Sequence, residues 1–388
     1  MRIKKIKETQ VNLSGSISNA VVSFDEHTVS LVAVETDVLR NGKPVIGYAF
    51  NSIGRFAQSG ILKSRMIPRI LSAPPEAVLD VSDQQFDPAK IIDCAMQNEK
   101  PGGHGDRASA AAALELAIWD LNAKLQDEPA YITIARAFNR TLKSESVPVY
   151  AAGGYYYPGE AAQALSEEFK EYLDIGFTAC KMKIGGVSMA EDMLRVEAAL
   201  NVLGEGKNLA VDANGRFSLA TAKAYAVELE SLNLRWYEEF GDPLDFALNA
   251  ELTKLYSGSI ATGENLFSMQ DAANLIQYGG MRPGLDIFQM DAGLSYGLTE
   301  YSKIIEVLES KGHERGQAYP HGGHLINLQI VTGLELGGCE AYPGVFQPFG
   351  GYPPQCKISN GKVSPSDAPG FGLEQKEELA PHLAALAD

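Results

Sequence analysis

Alternating apolar and polar positions fill the first part of the chain. VVSFDEHTVSLVAVETDVL and PVIGYAF, separated by the turn NGK, read as strands of a β meander over residues 1 to about 60. The period then changes to that of a helix. SAAAALELAIWDLNAKL has helical spacing and is rich in Ala and Leu, and DEPAY breaks it, which sets the end of a first domain near residue 145. From there a strand and helix rhythm repeats through AAGGYYY, TACKMKI, NLAVDAN, LRWYEEF, IATGEN, DIFQMDA, QAYPHG and CEAYPG, eight candidate strands. Helical stretches such as GEAAQALSEEFKEYLDIG and MAEDMLRVEAALNVLG lie between most of them, an order that implies an α/β chain with a parallel barrel. The helical pattern is least clear between QAYPHG and CEAYPG. Past about residue 345 the rhythm gives way to FQPFGGYPPQ and a short helix near LAPHLAALAD. The expected division is therefore residues 1–145, 146–345 and a tail, 346–388, that returns to the first domain.

The ends of these strands carry the chemistry. Asp212, Glu238 and Glu264 each close an apolar run, at spacings of 238−212=26 and 264−238=26, the length of one strand, one helix and two tight loops. Acids at strand ends commonly cap the following helix, but three consecutive ones predict a divalent metal site. All-carboxylate ligation favours Mg²⁺, with Mn²⁺ as a substitute, over zinc or copper. One unit earlier, Lys181 and Lys183 lie two residues apart and so share one side of a strand. Neighbouring positive charge disfavours protonation, so one of the pair can act as a base while both attract a carboxylate substrate. Asp291 and His321 stand one further unit apart, 321−291=30, and an aspartate beside a histidine fixes its tautomer and raises its pKa. His324 reads as structural, and Glu239 as pointing to the other side of a regular strand from Glu238.

Composition narrows the partners. With 33 basic and 49 acidic residues the formal charge is −16, which argues against nucleic acid and anionic membranes. Four cysteines without CxxC spacing fit reduced thiols. MRIKKIKETQVNLSG has no apolar core of a signal peptide, and no run reaches the roughly 18–20 apolar residues of a membrane span, so a soluble cytoplasmic protein is expected.

KMK, VDANG, YEEF, GEN, QMDAGLSYGLTE and PHGGH, in this order, resemble the enolase superfamily in its mandelate racemase-type branch. LELAIWDLNAKL resembles the end of that family's α+β capping domain, so the likeness spans nearly the whole chain. It implies a (β/α)7β TIM-like barrel under an N-terminal cap that the C-terminal tail completes. It implies Mg²⁺ on Asp212, Glu238 and Glu264, with Lys183 as general base and Lys181 as its electrostatic partner. His321 with Asp291 is then the opposing acid/base. Glu340 matches an acidic residue that hydrogen-bonds the substrate carboxylate, and Asn214 the polar residue two after the first ligand. The family's usual EEP is EEFGDP here, a departure in the loop after the fourth strand.

The sixth strand offers Gln289, Met290 and Asp291 where cycloisomerases and dipeptide epimerases carry a lysine, which points to acid-sugar dehydratases and racemases. Both chemistries start with α-proton removal and enediolate stabilisation; a dehydratase then expels the 3-hydroxyl. The implied reaction is dehydration of D-tartrate to oxaloacetate. Another acid-sugar dehydratase and a 2-hydroxy-acid racemase are the alternatives, a lysine Schiff-base aldolase or a non-catalytic barrel more distant ones. A dicarboxylate needs a second anchor, for which Asn19, Arg55 and Lys100 of the cap are candidates. Tyr155 and Tyr156 are expected near the pocket, with Tyr156 as the candidate substrate contact. Barrels of this family also imply a homo-oligomer.

Overall fold

Asn41 and Gly42, the centre of the NGK turn, both have positive φ (52° and 76°), the backbone twist that a tight two-residue hairpin requires. That turn joins β2 (Thr28–Arg40) to β3 (Lys43–Phe50), and β1 (Ile3–Asn12) pairs with the other edge of β2, giving an antiparallel sheet of order β1-β2-β3. The computed structural model describes residues 1–15, 17–82, 84–156 and 162–387. Tyr157 of AAGGYYY and positions 159–161 of the helical stretch after it lie outside the described residues.

The Ala-rich segment forms the helix Asp106–Gln126, buried from Ala108 through Lys124, and it packs across β2 and β3. Gly47 allows that approach: a Cβ there would lie 2.2 Å from the Ala117 carbonyl oxygen. Two buried acids of this helix reach other parts of the chain. Asp120 accepts the amides of Tyr48 and, from the tail, Phe371. Glu115 accepts the amides of Leu298 and Thr299 at the N-terminus of the helix Leu298–Ser310, where the helix dipole favours negative charge. The terminal helix Ala380–Ala387 packs on β1 and β2, and Lys124 pairs with Glu374 at 2.5 Å, so the tail lies against the N-terminal layer.

The second half is a curled parallel sheet. β4 (Val147–Ala152), β5 (Cys180–Lys183), β6 (Leu209–Asp212), β7 (Trp236–Glu238), β8 (Ile260–Thr262) and β9 (Ile287–Phe288) pair in sequence order, and β10 (Cys339–Ala341) pairs in parallel with β4. Tyr150, Ala210, Trp236 and Ala261 pack as one cluster with Tyr319 against it. Three details differ from the sequence pattern. The first strand lies earlier than AAGGYYY, because Gly153 and Gly154 (φ 57°) end it. QAYPHG supplies an isolated bridge from Ala318 to Phe288 rather than a strand, with the Tyr319 and His321 amides donating to the Phe288 and Gln289 carbonyls. The obscure connection before β10 is the helix Leu325–Leu334, all ten residues of which are buried, so it has no polar face to set a period.

Candidate active site

Sheet register assembles the floor of the site. Lys183 lies opposite Asp212 in the β5–β6 ladder and Asp212 opposite Glu238 in β6–β7, so three chemically active side chains leave adjacent strand ends in one row. Glu264 follows β8 by two residues. Ligand oxygens of Asp212, Glu238 and Glu264 all lie within 4.8 Å of one another, and two of the three residues are buried. Lys181 Nζ sits 2.6 Å from Glu238 Oε1, 2.8 Å from Glu340 Oε1 and 3.6 Å from Asp212 Oδ2, while Lys183 Nζ is 2.5 Å from Asp212 Oδ2.

Burial pushes the carboxyl pKa up at Asp212, Glu238 and Glu340, and the neighbours decide the outcome. For Asp212 the two lysines outweigh burial and hold it at about 2; Glu340 falls to about 2 through Lys181 and His321. Glu238 goes the other way, to about 8, pushed by burial and then by Asp212. An acid cluster that cannot ionise fully by itself fits a hard divalent cation, which would neutralise it. Lys181 contradicts the idea of a lysine pair depressing one another: burial lowers its pKa, but Glu238 and Glu340 overcome this and hold it well above the ordinary value.

His321 approaches from the segment after β9. Its Nδ1 is 3.6 Å from Asp291 Oδ2, its Nε2 is 3.1 Å from the Tyr342 hydroxyl and 3.8 Å from Glu264 Oε2. Burial lowers its pKa, but Glu264 and Asp291 outweigh burial and carry it to about 9. Lys181, Lys183, His321, Glu264 and Asn214 all border one cavity of about 220 Å³. Asn214, at φ 48°, donates its own amide and its side chain to Asp212.

The profile of the family described as enolase C-terminal domain-like matches residues 164–379, more than half of the chain. The chain belongs to the enolase superfamily. It is 27% identical over 282 residues to an arabinonate dehydratase of Saccharolobus solfataricus, covering 70% of this chain and 71% of the relative. It is 29% identical over 289 residues to a 3,6-anhydro-α-L-galactonate cycloisomerase of Streptomyces coelicolor, covering 73% of each. A crystal structure of a racemase from Streptomyces coelicolor A3(2) with bound magnesium superposes with a TM-score of 0.80 at 23% identity, over 99% of both chains. Acid-sugar dehydratases recur among the relatives.

Asn19 and Arg55 of the N-terminal layer line the cavity, and Arg55 Nη2 donates a 2.7 Å hydrogen bond to Asn265 Oδ1. Lys100 does not: it is exposed, its carbonyl accepts Arg107, and it has no place in the lining. Tyr156 is also displaced. Its hydroxyl donates to Asp192 at 3.0 Å and accepts the Gly186 amide, its ring lies under Arg195, and Tyr155 lines the cavity instead. Adjacent residues leave an extended backbone on opposite sides, so only one of the two tyrosines could face inward. Glu340 lies behind the wall, with Oε1 on Lys181 and Oε2 accepting the Gly322 amide, so both oxygens are engaged within the protein.

His324 caps the helix Leu325–Leu334 and contacts Ser52 at 3.1 Å. Glu239 corrects the strand-alternation argument: β7 ends at Glu238, Glu239 takes φ 40°, and its side chain turns into the cavity wall. Sequence reasoning missed Tyr342, although its position two after Glu340 signals a shared strand face. It also passed over Asn265, next to Glu264. No helix among the described residues is long and apolar enough to cross a membrane.

Proposed function

We propose that the chain dehydrates a small 2-hydroxy dicarboxylate, D-tartrate, to oxaloacetate with Mg²⁺ or, as a substitute, Mn²⁺. The observation that supports this reading is that Lys183, at the end of β5, and His321, from the segment after β9, border one cavity together with Glu264 of the acid trio. The sheet is read as a (β/α)7β barrel over residues 146–345, capped by 1–145 and the tail 346–388. When bound to Asp212, Glu238 and Glu264, the cation supplies a Lewis acid for the substrate's carboxylate and stabilises charge developing as the α-proton leaves. Lys183 takes the C2 proton. His321 enters as imidazolium, a state that its raised pKa favours, and gives a proton to the departing C3 hydroxyl. Water leaves, the C2–C3 enol forms, and tautomerisation yields the 2-keto diacid.

What supports a short diacid over a long polyol is the apolar share of the wall, which alternates with polar side chains such as Asn19, Asn214 and Asn265. Val21, Val22, Phe24, Ile53 and Phe346 supply apolar surface, against which several sugar hydroxyls would lose hydrogen bonds to water without replacement. Arg55 is available for a distal carboxylate. The test is keto-acid release with Mg²⁺ from D-, L- and meso-tartrate and from a panel of pentonates, hexonates and hexarates. Turnover confined to D-tartrate is expected; turnover of a sugar acid instead rejects the substrate while retaining the acid/base pair. Racemisation without loss of water rejects dehydration itself.

A further inference from the structure

Asn265 joins the metal-side acids to the far wall. Its Oδ1 accepts Arg55 Nη2 at 2.7 Å and its Nδ2 donates to Glu239 Oε1 at 2.7 Å. A guanidinium only donates, so the amide oxygen must face Arg55 and the amide nitrogen must face Glu239; the two partners fix the side chain's orientation between them. Phe267 supports the same guanidinium, with Arg55 Cζ 4.9 Å from its ring centroid. Among the described residues no carboxylate lies within ion-pair distance of Arg55.

We propose that Asn265 is a positioning residue that selects for a second carboxylate on the substrate, by holding Arg55 over the cavity without neutralising it. The inference rests on the diacid reading above and deepens it. A neutral amide restrains the guanidinium while leaving its charge and its remaining N–H groups for an anion. A carboxylate in the same place would hold Arg55 equally well but cancel its charge, and it would offer Glu239 no N–H in place of the amide's. Glu239 thereby has a role independent of metal ligation: it orients the amide that orients the arginine.

The test compares kcat and KM for D-tartrate with those for glycerate, which has the same 2,3-diol and one carboxylate, in the wild type and in Asn265→Asp. The diacid-to-monoacid ratio of kcat/KM is expected to fall about tenfold or more, mainly through KM for D-tartrate, the scale of one charge-assisted hydrogen bond. Glu239→Gln should lower the ratio less, because an amide at 239 lets Asn265 turn over. If Asn265→Asp does not fold, Asn265→Ala removes the acceptor without adding charge and must lower the same ratio. A wild-type diacid preference that survives these substitutions, or equal losses on both substrates, overturns the selection role alone. A wild type without diacid preference overturns the substrate reading, and the selection role with it.

Discussion

The floor and the wall of the cavity are built by different means. On the floor, Lys181, Asp212 and Glu238 are essentially inaccessible, and hydrogen-bonded strand register sets their relative positions. On the wall, Asn19 and Arg55 come from loops, and local side-chain contacts set their positions: Asn19 Oδ1 accepts the amides of Val21 and Val22, and Arg55 leans on Asn265 and Phe267. A floor residue cannot move without shifting a strand, whereas a wall residue can be exchanged with its loop. Under the proposed function, Lys183, Asp212 and Glu238 are held by the sheet and the substrate contacts Asn19 and Arg55 by loops, a division that lets one scaffold serve many substrates.

Lys183→Ala should produce the largest effect and confine it to the floor. Removing the base is expected to reduce kcat by about 10³–10⁴-fold while D-tartrate and Mg²⁺ still bind, read by turnover and by calorimetry. A loss of less than tenfold would take the base assignment away from Lys183. Arg55→Met tests the wall. The anchor is expected to contribute binding in ground and transition states alike, so KM for D-tartrate should rise about 10–100-fold with kcat little changed, the value of a charge-assisted contact. A fall in kcat at constant KM would move Arg55 from recognition into the chemistry, and the contrast between the two regions would break.

The same contrast explains what could be read from the sequence. Asp212, Glu238 and Glu264 were visible because a repeating βα unit puts each strand end at a regular interval, so chemistry appears as spacing. Asp291 and His321 were visible for the same reason. The wall has no period. Lys100 and Tyr156 share the chemistry of true wall residues, and only the path of a loop decides that Lys100 faces solvent and Tyr156 turns toward Asp192. Glu239 escaped because one left-handed residue ends the alternation of β7, and neither Glu238 nor Glu239 announces which of the two will adopt it. In the fold, the helix Leu325–Leu334 escaped because complete burial removes the polar stripe by which amphipathic helices are found.

The smallest expected effect separates floor from wall by pH. In the metal-free protein Glu238 is raised from 4.5 to about 8, so the folded state holds a proton that the unfolded chain has released. Its contribution to stability is complete below the unfolded value and is lost as pH rises through about 8. His321, raised from 6.5 to about 9, acts in the same direction: its contribution is present below 6.5 and is lost as pH rises through about 9. Asp212 and Glu340, both depressed to about 2, act oppositely and only at the acid end, where stability falls as pH drops toward 2. Thermal melts in EDTA should therefore show stability declining as pH rises from about 5 to about 9. A cation competes with the Glu238 proton, so the stabilisation by a fixed Mg²⁺ concentration should grow over the same range. Glu264→Gln should weaken that Mg²⁺ effect, whereas Arg55→Met, which alters only the wall, should leave it intact. A Mg²⁺ effect that shrinks with pH, or one that Arg55→Met removes, would mean that the two regions are coupled and that substrate choice cannot be exchanged without disturbing the metal site.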